Sequence, residues 1–233
     1  EVGQWLPETG AGLVAEDSVD TLKAGVFRLR RIVRNTGETT IESLRLTLDF
    51  VHADKGAFLM IPAVSYNGNT WGRGKEPKGF KRDGEWWSFS SYRTPIPGAT
   101  YSEGSRWAVA LWAQTTEELP VLSCSLMPEG GRTTHRLIWP QEERPLVYSG
   151  RDRYAPGTRV ELRLKPGENL VLTGILVVDR VQAGHRAMET FLAEAWKQGW
   201  GQHARGKEMA CAPEELWKLG VQYAKNSLWA EES

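Results

Sequence analysis

The stretch Ile61-Pro-Ala-Val-Ser-Tyr-Asn-Gly-Asn-Thr-Trp-Gly-Arg-Gly-Lys-Glu-Pro-Lys-Gly79 gathers the residue types that handle polyhydroxylated ligands. Tyr66 and Trp71 offer flat apolar faces to the C–H side of a sugar ring. Asn67, Asn69, Arg73 and Lys75 offer donors and acceptors to its hydroxyls. The interspersed glycines and prolines argue against a regular strand and put these side chains on one loop, where binding residues concentrate. The plainer reading is a long surface loop closed by its own aromatics. Its glycines are not a phosphate cradle, because no strand–turn–helix context and no Gly-Lys-Ser/Thr follows.

Trp86-Trp87 falls on a predicted strand, Glu85 to Tyr92. Neighbouring strand residues point to opposite faces, so one indole should enter the core and the other face outward or meet a second layer. An outward indole would be a second stacking platform. Arg93 at the strand's end is placed to reach a carboxylate of another domain or to be solvated. The histidines His52, His135, His185 and His203 show no metal-ligand spacing. No Gly-x-Ser-x-Gly elbow occurs, and neither Cys124 nor Cys211 has an evident histidine partner. Glycoside hydrolysis needs two convergent carboxyls about 5–9 Å apart. Glu117-Glu118 and Glu142-Glu143 are adjacent in sequence, would point apart in strands, and read as solvated loop charges. His185 with Asp179 and Arg180 reads as a polar corner that caps a helix. No catalytic residue, metal site or cofactor site follows.

The elements that must position these residues are mostly strands. Leu44, Leu46, Leu48 and Phe50 alternate with Arg45, Thr47 and Asp49, the pattern of a half-buried strand. Trp107, Val109 and Leu111 alternate with Ala108, Ala110 and Trp112, apolar on both faces, which predicts a central strand covered on both sides. Val160, Leu162 and Leu164, then Pro166-Gly167-Glu168-Asn169, then the run from Leu170 to Val178 predict a hairpin. Arg30-Arg31 shifts the alternation of its strand, as a bulge would. Cys124 alternates with Leu122 and Leu126 as a small core residue. About ten strands are expected, and two antiparallel sheets packed face to face bury them economically. The period changes at Ala183: Ala187, Met188, Phe191, Leu192, Ala195 and Trp196 share one helical face, with Glu189, Thr190, Glu194 and Lys197 opposite. Gly199 ends that helix. After a glycine-rich stretch, Pro213-Glu214-Glu215 opens a second helix with an apolar stripe of Leu216, Trp217, Gly220, Val221, Ala224, Leu228 and Trp229.

Composition sets the outer limits. The 233 residues carry 29 Lys+Arg against 29 Asp+Glu, so the formal net charge is zero and a nucleic-acid partner or anionic membrane surface has no basic excess to meet. No apolar run approaches the roughly 20 residues of a membrane helix. The Trp count of 11 is several-fold above an ordinary share and serves either a large core or sugar stacking. Glu1-Val2-Gly3 is neither a start methionine nor a signal peptide. With no disulfide framework either, the compartment stays open, the cytoplasm being slightly favoured. The stop at Ser233, just after an amphipathic helix, reads as a piece of something longer.

A large sandwich, a helix, a connection and the start of further helices resembles the N-terminal part of the six-hairpin, (α/α)6-barrel glycosidases. There a supersandwich of galactose-mutarotase-like fold precedes a toroid of helix pairs. The resemblance rests on this layout, on Tyr66-Asn67-Gly68-Asn69 and on Val178-Asp179-Arg180-Val181-Gln182-Ala183-Gly184-His185-Arg186. It implies a mainly β fold, a large antiparallel β-sandwich (supersandwich) followed by C-terminal linker helices. Residues 1–182 would form the sandwich, and residues 183–233 a helical linker with the start of a truncated helical domain. It further implies a non-catalytic region of a carbohydrate-active enzyme, whose catalytic carboxylates belong to a helical domain of the same or an associated chain. The expected partners are thus carbohydrate and that domain. A stand-alone carbohydrate-binding module and a structural interaction domain are the alternatives.

Overall fold

The computed structural model describes residues 12–53, 58–66, 79–114, 122–148, 154–181, 186–195, 197 and 213–223. In chain order the strands are β1 (Leu13–Lys23), β2 (Val26–Asn35), β3 (Leu46–Ala53), β4 (Phe58–Ile61), β5 (Ser65–Tyr66), β6 (Lys81–Arg82), β7 (Glu85–Trp86) and β8 (Phe89–Ser90). There follow β9 (Thr100–Glu103), β10 (Trp107–Ala113), β11 (Ser123–Glu129), β12 (Arg132–Trp139), β13 (Glu142–Tyr148), β14 (Tyr154–Arg159) and β15 (Asn169–Arg180). Two helices close the order, α1 (Arg186–Ala195) and α2 (Pro213–Tyr223). The fold is mainly β, as the alternating sequence requires.

A seven-stranded sheet runs β1-β2-β15-β10-β9-β4-β5, and a four-stranded sheet runs β3-β12-β11-β8. Two small ribbons, β13-β14 and β6-β7, flank them. Every strand pairing among the described residues is antiparallel. Val109 and Leu111 of β10, Leu172 and Leu176 of β15, and Leu59 and Ile61 of β4 face the small sheet. Leu46 and Leu48 of β3, Cys124 and Leu126 of β11, and Leu137 and Trp139 of β12 meet them there. Each such fully buried aliphatic or aromatic side chain contributes about 1.5–3 kcal/mol of transfer free energy. This inter-sheet layer is the main source of stability.

β10 is central and covered on both sides, as its doubly apolar pattern predicts. The second cover is α1. Ala108, Ala110 and Trp112 of β10, with Val26, Tyr101, Ile175 and Val177, pack on the outer face of the large sheet against Ala187, Phe191 and Ala195. Phe191 stacks on Tyr101 (centroids 5.6 Å apart) and lies tilted against Trp112 (5.6 Å). The buried stripe of α1 is narrower than the sequence periodicity predicts. Leu192 is exposed and Glu194 is buried, because Lys23 at the end of β1 and Lys197 (3.6 Å) give that carboxylate two cationic neighbours. Trp196 and Gly199 lie outside the described residues.

Three further expectations change. The hairpin predicted across Pro166–Asn169 does not form, because β15 pairs with β2 on one edge and β10 on the other, leaving no free edge for residues 160–164. That segment bonds instead to Ile41 and Leu44. The turn itself is real: Lys165 N–H donates to the Glu168 carboxylate (2.8 Å) and Glu168 N–H to Lys165 O (3.1 Å). β2 keeps register through Arg30-Arg31, and the irregularity falls in its partner, between Thr21 and Lys23. The predicted strand from Glu85 to Tyr92 divides into β7 and β8, the second ending in a 3-10 turn at Ser91–Arg93.

Candidate functional site

Of the loop residues chosen from sequence, Tyr66 is described. It ends β5 at the rim of the large sheet with 55% of its surface exposed. Asn67, Asn69, Trp71, Arg73 and Lys75 lie outside the described residues. The foot of their loop is well fixed. Ser65, fully buried, donates its hydroxyl to Gly79 O, and Trp87 N–H donates to Phe80 O (2.9 Å). The loop's two ends are thereby joined beside Trp87.

Trp87 is 2% exposed and stacks on Phe89 (5.5 Å, 13° between planes), so it belongs to the core. Trp86 is half-buried, with the Lys81 ammonium 4.5 Å from its ring centroid. Alternation thus divides the pair as expected, and the outward indole already carries a cation on its face. Val64, at the loop's foot, lines a small cavity with Trp87, Phe89, Arg93, Glu143 and Leu146.

Glu143 and Glu142 correct a sequence expectation. They point apart on β13 but are not solvated; they are 2% and 3% exposed. Arg93 grips Glu143 through Nε and through Nη2 (3.0 Å). Arg45 grips Glu142 through Nε (2.8 Å) and Nη2 (2.7 Å). Burial pushes the Glu142 carboxyl upward, but hydrogen bonds from Arg45 and the charges of Arg45, Arg144 and Arg159 outweigh it, leaving the group below its ordinary value. Hydrogen bonding to Glu142 in turn raises Arg45. Paired guanidinium and carboxylate are how two buried charges become tolerable, and these acids are structural anchors.

A second polar constellation is invisible in the sequence. His135 of β12 is fully buried, with Nδ1 2.9 Å from Thr100 Oγ1 and Nε2 2.9 Å from Ser102 Oγ. His52 of β3 reaches the same serine at 2.9 Å. Donor accounting assigns the protons. Thr100 donates to Leu111 O (3.3 Å), so His135 Nδ1 donates to Thr100 and Nε2 accepts from Ser102. Ser102 then accepts from His52. Burial, reinforced by His52, lowers His135 to about 3, which makes it a neutral structural link and a poor base. Burial also pushes the Cys124 thiol up to about 12, in keeping with a packed core residue. His185, Cys211 and Glu117-Glu118 lie outside the described residues.

Among the described residues, an open cleft of about 1000 Å³ lies where β1, β2 and the end of β15 meet the edge of β3. Its floor is Phe27, Leu29 and Phe50, each half-buried. Charges of both signs line it: Asp17 is held by Arg31 (2.6 and 2.6 Å), Asp49 by Arg136 from outside the cleft (2.7 and 2.5 Å), and Lys23, Arg30, Asp179 and Arg180 complete the charged lining. Arg31 also donates to Thr47 O on β3 (2.6 Å). Sequence reasoning missed this cleft because its walls come from segments paired only in three dimensions. Among the described residues, no group of three or more His, Cys, Asp and Glu could hold a metal ion, and no helix is long and apolar enough to cross a membrane.

No protein-family model and no curated protein matches the chain. Among solved structures it is similar to a "Putative aldose 1-epimerase" from Escherichia coli K12, at 13% identity over 72% of this chain and 61% of that one, with a TM-score of 0.43. It is similar also to the Slr1438 protein from Synechocystis sp. PCC 6803, at 13% identity over 72% and 55% of the two chains, with a TM-score of 0.42. The chain therefore spans less than two thirds of the length of either protein.

Proposed function

We propose that the chain is a non-catalytic β-sandwich region of a carbohydrate-active enzyme, a glycoside hydrolase whose reactive acids sit in a helical domain of the same or an associated chain. Residues 1–182 are the sandwich, and residues 183–233 lead into the helical domain. The observation that carries this reading is the exposure of α2, where Trp217 is 73% exposed and Val221, one turn on along the same face, 38%. Large apolar side chains so displayed on a helix find their partner in another surface, and a helical domain supplies one. The non-catalytic part of the reading draws on the buried carboxylates. Glu142, Glu143 and Glu194 are each engaged by Arg or Lys, which removes them from acid–base work.

Acrylamide quenching of Trp217 tests the reading, using a tyrosine or phenylalanine substitution to isolate its signal. In the polypeptide that carries the helical domain Trp217 is shielded; in this chain it is open. Equal quenching in both, or glycoside hydrolysis by this chain alone, overturns the proposal. The second reading, a stand-alone carbohydrate-binding module, is favoured by the exposure of Tyr66 at the loop's foot. It requires saccharide binding that Tyr66→Ala weakens.

A further inference from the structure

We propose that the Lys23–Glu194 ion pair is a latch that holds α1 in one of two seats on the large sheet. α1 is not seated on its own apolar stripe. At roughly 100° per residue, Ala187, Met188, Phe191, Leu192 and Ala195 form that stripe. The face buried on the sheet is instead Ala187, Phe191, Glu194 and Ala195, whose centre is turned about 50° from the centre of the stripe. The turn leaves Leu192 46% exposed and Glu194 only 3% exposed. Hydrophobic burial alone favours the opposite choice, since a leucine gains and a carboxylate loses on leaving water.

What holds the helix there comes from β1. Between Thr21 and Lys23 its ladder with β2 slips: β1 advances two residues while β2 advances one, from Phe27 to Val26. Such a bulge re-aims a side chain. Strict alternation sends Lys23 to the inner face with Leu13 and Ala15. The slip sets it opposite Val26, a member of the cluster beneath α1, where its ammonium meets the Glu194 carboxylate. A buried ion pair adds little net stability beside apolar packing, and its best-attested use is to select one arrangement among several. The second seat is the one the stripe prescribes, with Leu192 turned in and Glu194 turned out, Lys197 (3.6 Å away in the latched seat) remaining its neighbour one turn on. β1 and β4 lie toward opposite margins of the sheet, and Phe58 and Met60 of β4, half-buried on the face that carries α1, offer Leu192 apolar neighbours on the side away from Lys23. The choice of seat sets how the chain leaves the sandwich at Ala195, and it stands apart from the carbohydrate reading.

Thiol labelling of the whole chain reads the seat. Leu192→Cys is placed in a Cys211→Ser background, and Cys124, fully buried, does not compete. Cysteine packs as a small hydrophobe, so the probe keeps the stripe apolar. In the latched seat the new thiol is open and reacts with a maleimide. Lys23→Met removes the charge at similar length, and Lys23→Glu repels the carboxylate. Each should slow the reaction about tenfold or more by turning position 192 inward. Lys23→Glu combined with Glu194→Lys restores an ion pair and should restore the parent rate. Circular dichroism and the urea midpoint certify each fold, and Lys23→Met carries the test should Lys23→Glu fail to fold. Unchanged rates overturn the proposal, because the seat is then indifferent to Lys23. So does faster labelling, which means that α1 lets go instead of turning, and so does a slowed reaction that the charge exchange fails to reverse.

Discussion

His135 and Glu143 show how single polar residues are made to belong in an apolar interior. For His135 the unfolded chain binds a proton below its ordinary pKa of 6.5, whereas the folded chain resists until about 3. Between those values the unfolded state holds more protons, so the contribution is complete above pH 6.5 and lost as pH falls. Urea midpoints should therefore drop between pH 7 and pH 5, at up to about 1.4 kcal/mol per pH unit for one proton. A His135→Gln variant, already weaker, should give a flatter profile; an unchanged slope would show that another group titrates. Glu142 acts in the same direction at lower pH, since its carboxyl is held below its ordinary value. Arg93→Ala leaves the buried Glu143 without its guanidinium, and should cost about 3–5 kcal/mol in thermal or chemical denaturation. If Arg93→Ala melts like the parent, the ion pair is not an anchor. Neither network was legible in the sequence. Glu142-Glu143 looks like any polar pair, and its arginines lie far away along the chain; His52 and His135 meet only because β3 and β12 pair in one particular register.

At the scale of elements, the sequence spoke clearly wherever periodicity was strong. β3 and β10 stand where their alternation puts them, and α1 begins close to the change of period near Ala183. The face of α1 was less legible: Leu192 is apolar but turned outward, and Glu194 is charged but turned inward, because Lys23 from another element receives it. Propensity and pattern speak to neighbours a few residues apart, whereas that choice was made across the sheet. Phe191→Ala should cost about 3–5 kcal/mol, since it removes a fully buried ring held between Tyr101 and Trp112. A loss below 1 kcal/mol in urea unfolding would mean that α1 is not firmly seated. The hairpin across Pro166–Asn169 failed for a topological reason, both edges of β15 being occupied. Gly98, unremarked in sequence, sits at φ +66°, and an added Cβ would come within 2.5 Å of Leu122 Cδ1. Gly98→Ala should lower stability by about 1–3 kcal/mol through strain and overpacking. A midpoint equal to the parent's would show that Leu122 has room to yield.

For the whole molecule, the alternating pattern dictated a two-layer β architecture, but not which strands share a sheet or where the sheets fail to overlap. The cleft is the product of that incomplete overlap: β1 and β2 extend beyond β3, the last strand of the smaller sheet. A mismatch in sheet widths leaves no mark in a linear pattern, because Phe27, Leu29 and Phe50 alternate as any core-facing residues would. The loop with Tyr66 had the opposite character, obvious in composition.

The rim of the larger sheet has its own consequence. Among the described residues, β1, eleven residues long, is hydrogen-bonded to a strand on one side only, to β2. Such a long open margin is a template onto which a second molecule can zip. Glu16 and Asp20 put negative charge along that margin, and charge on an edge strand opposes pairing with another copy. Exchanging Glu16 and Asp20 for valine should turn a well-behaved solution into one that scatters light on storage and binds fibril-sensitive dyes.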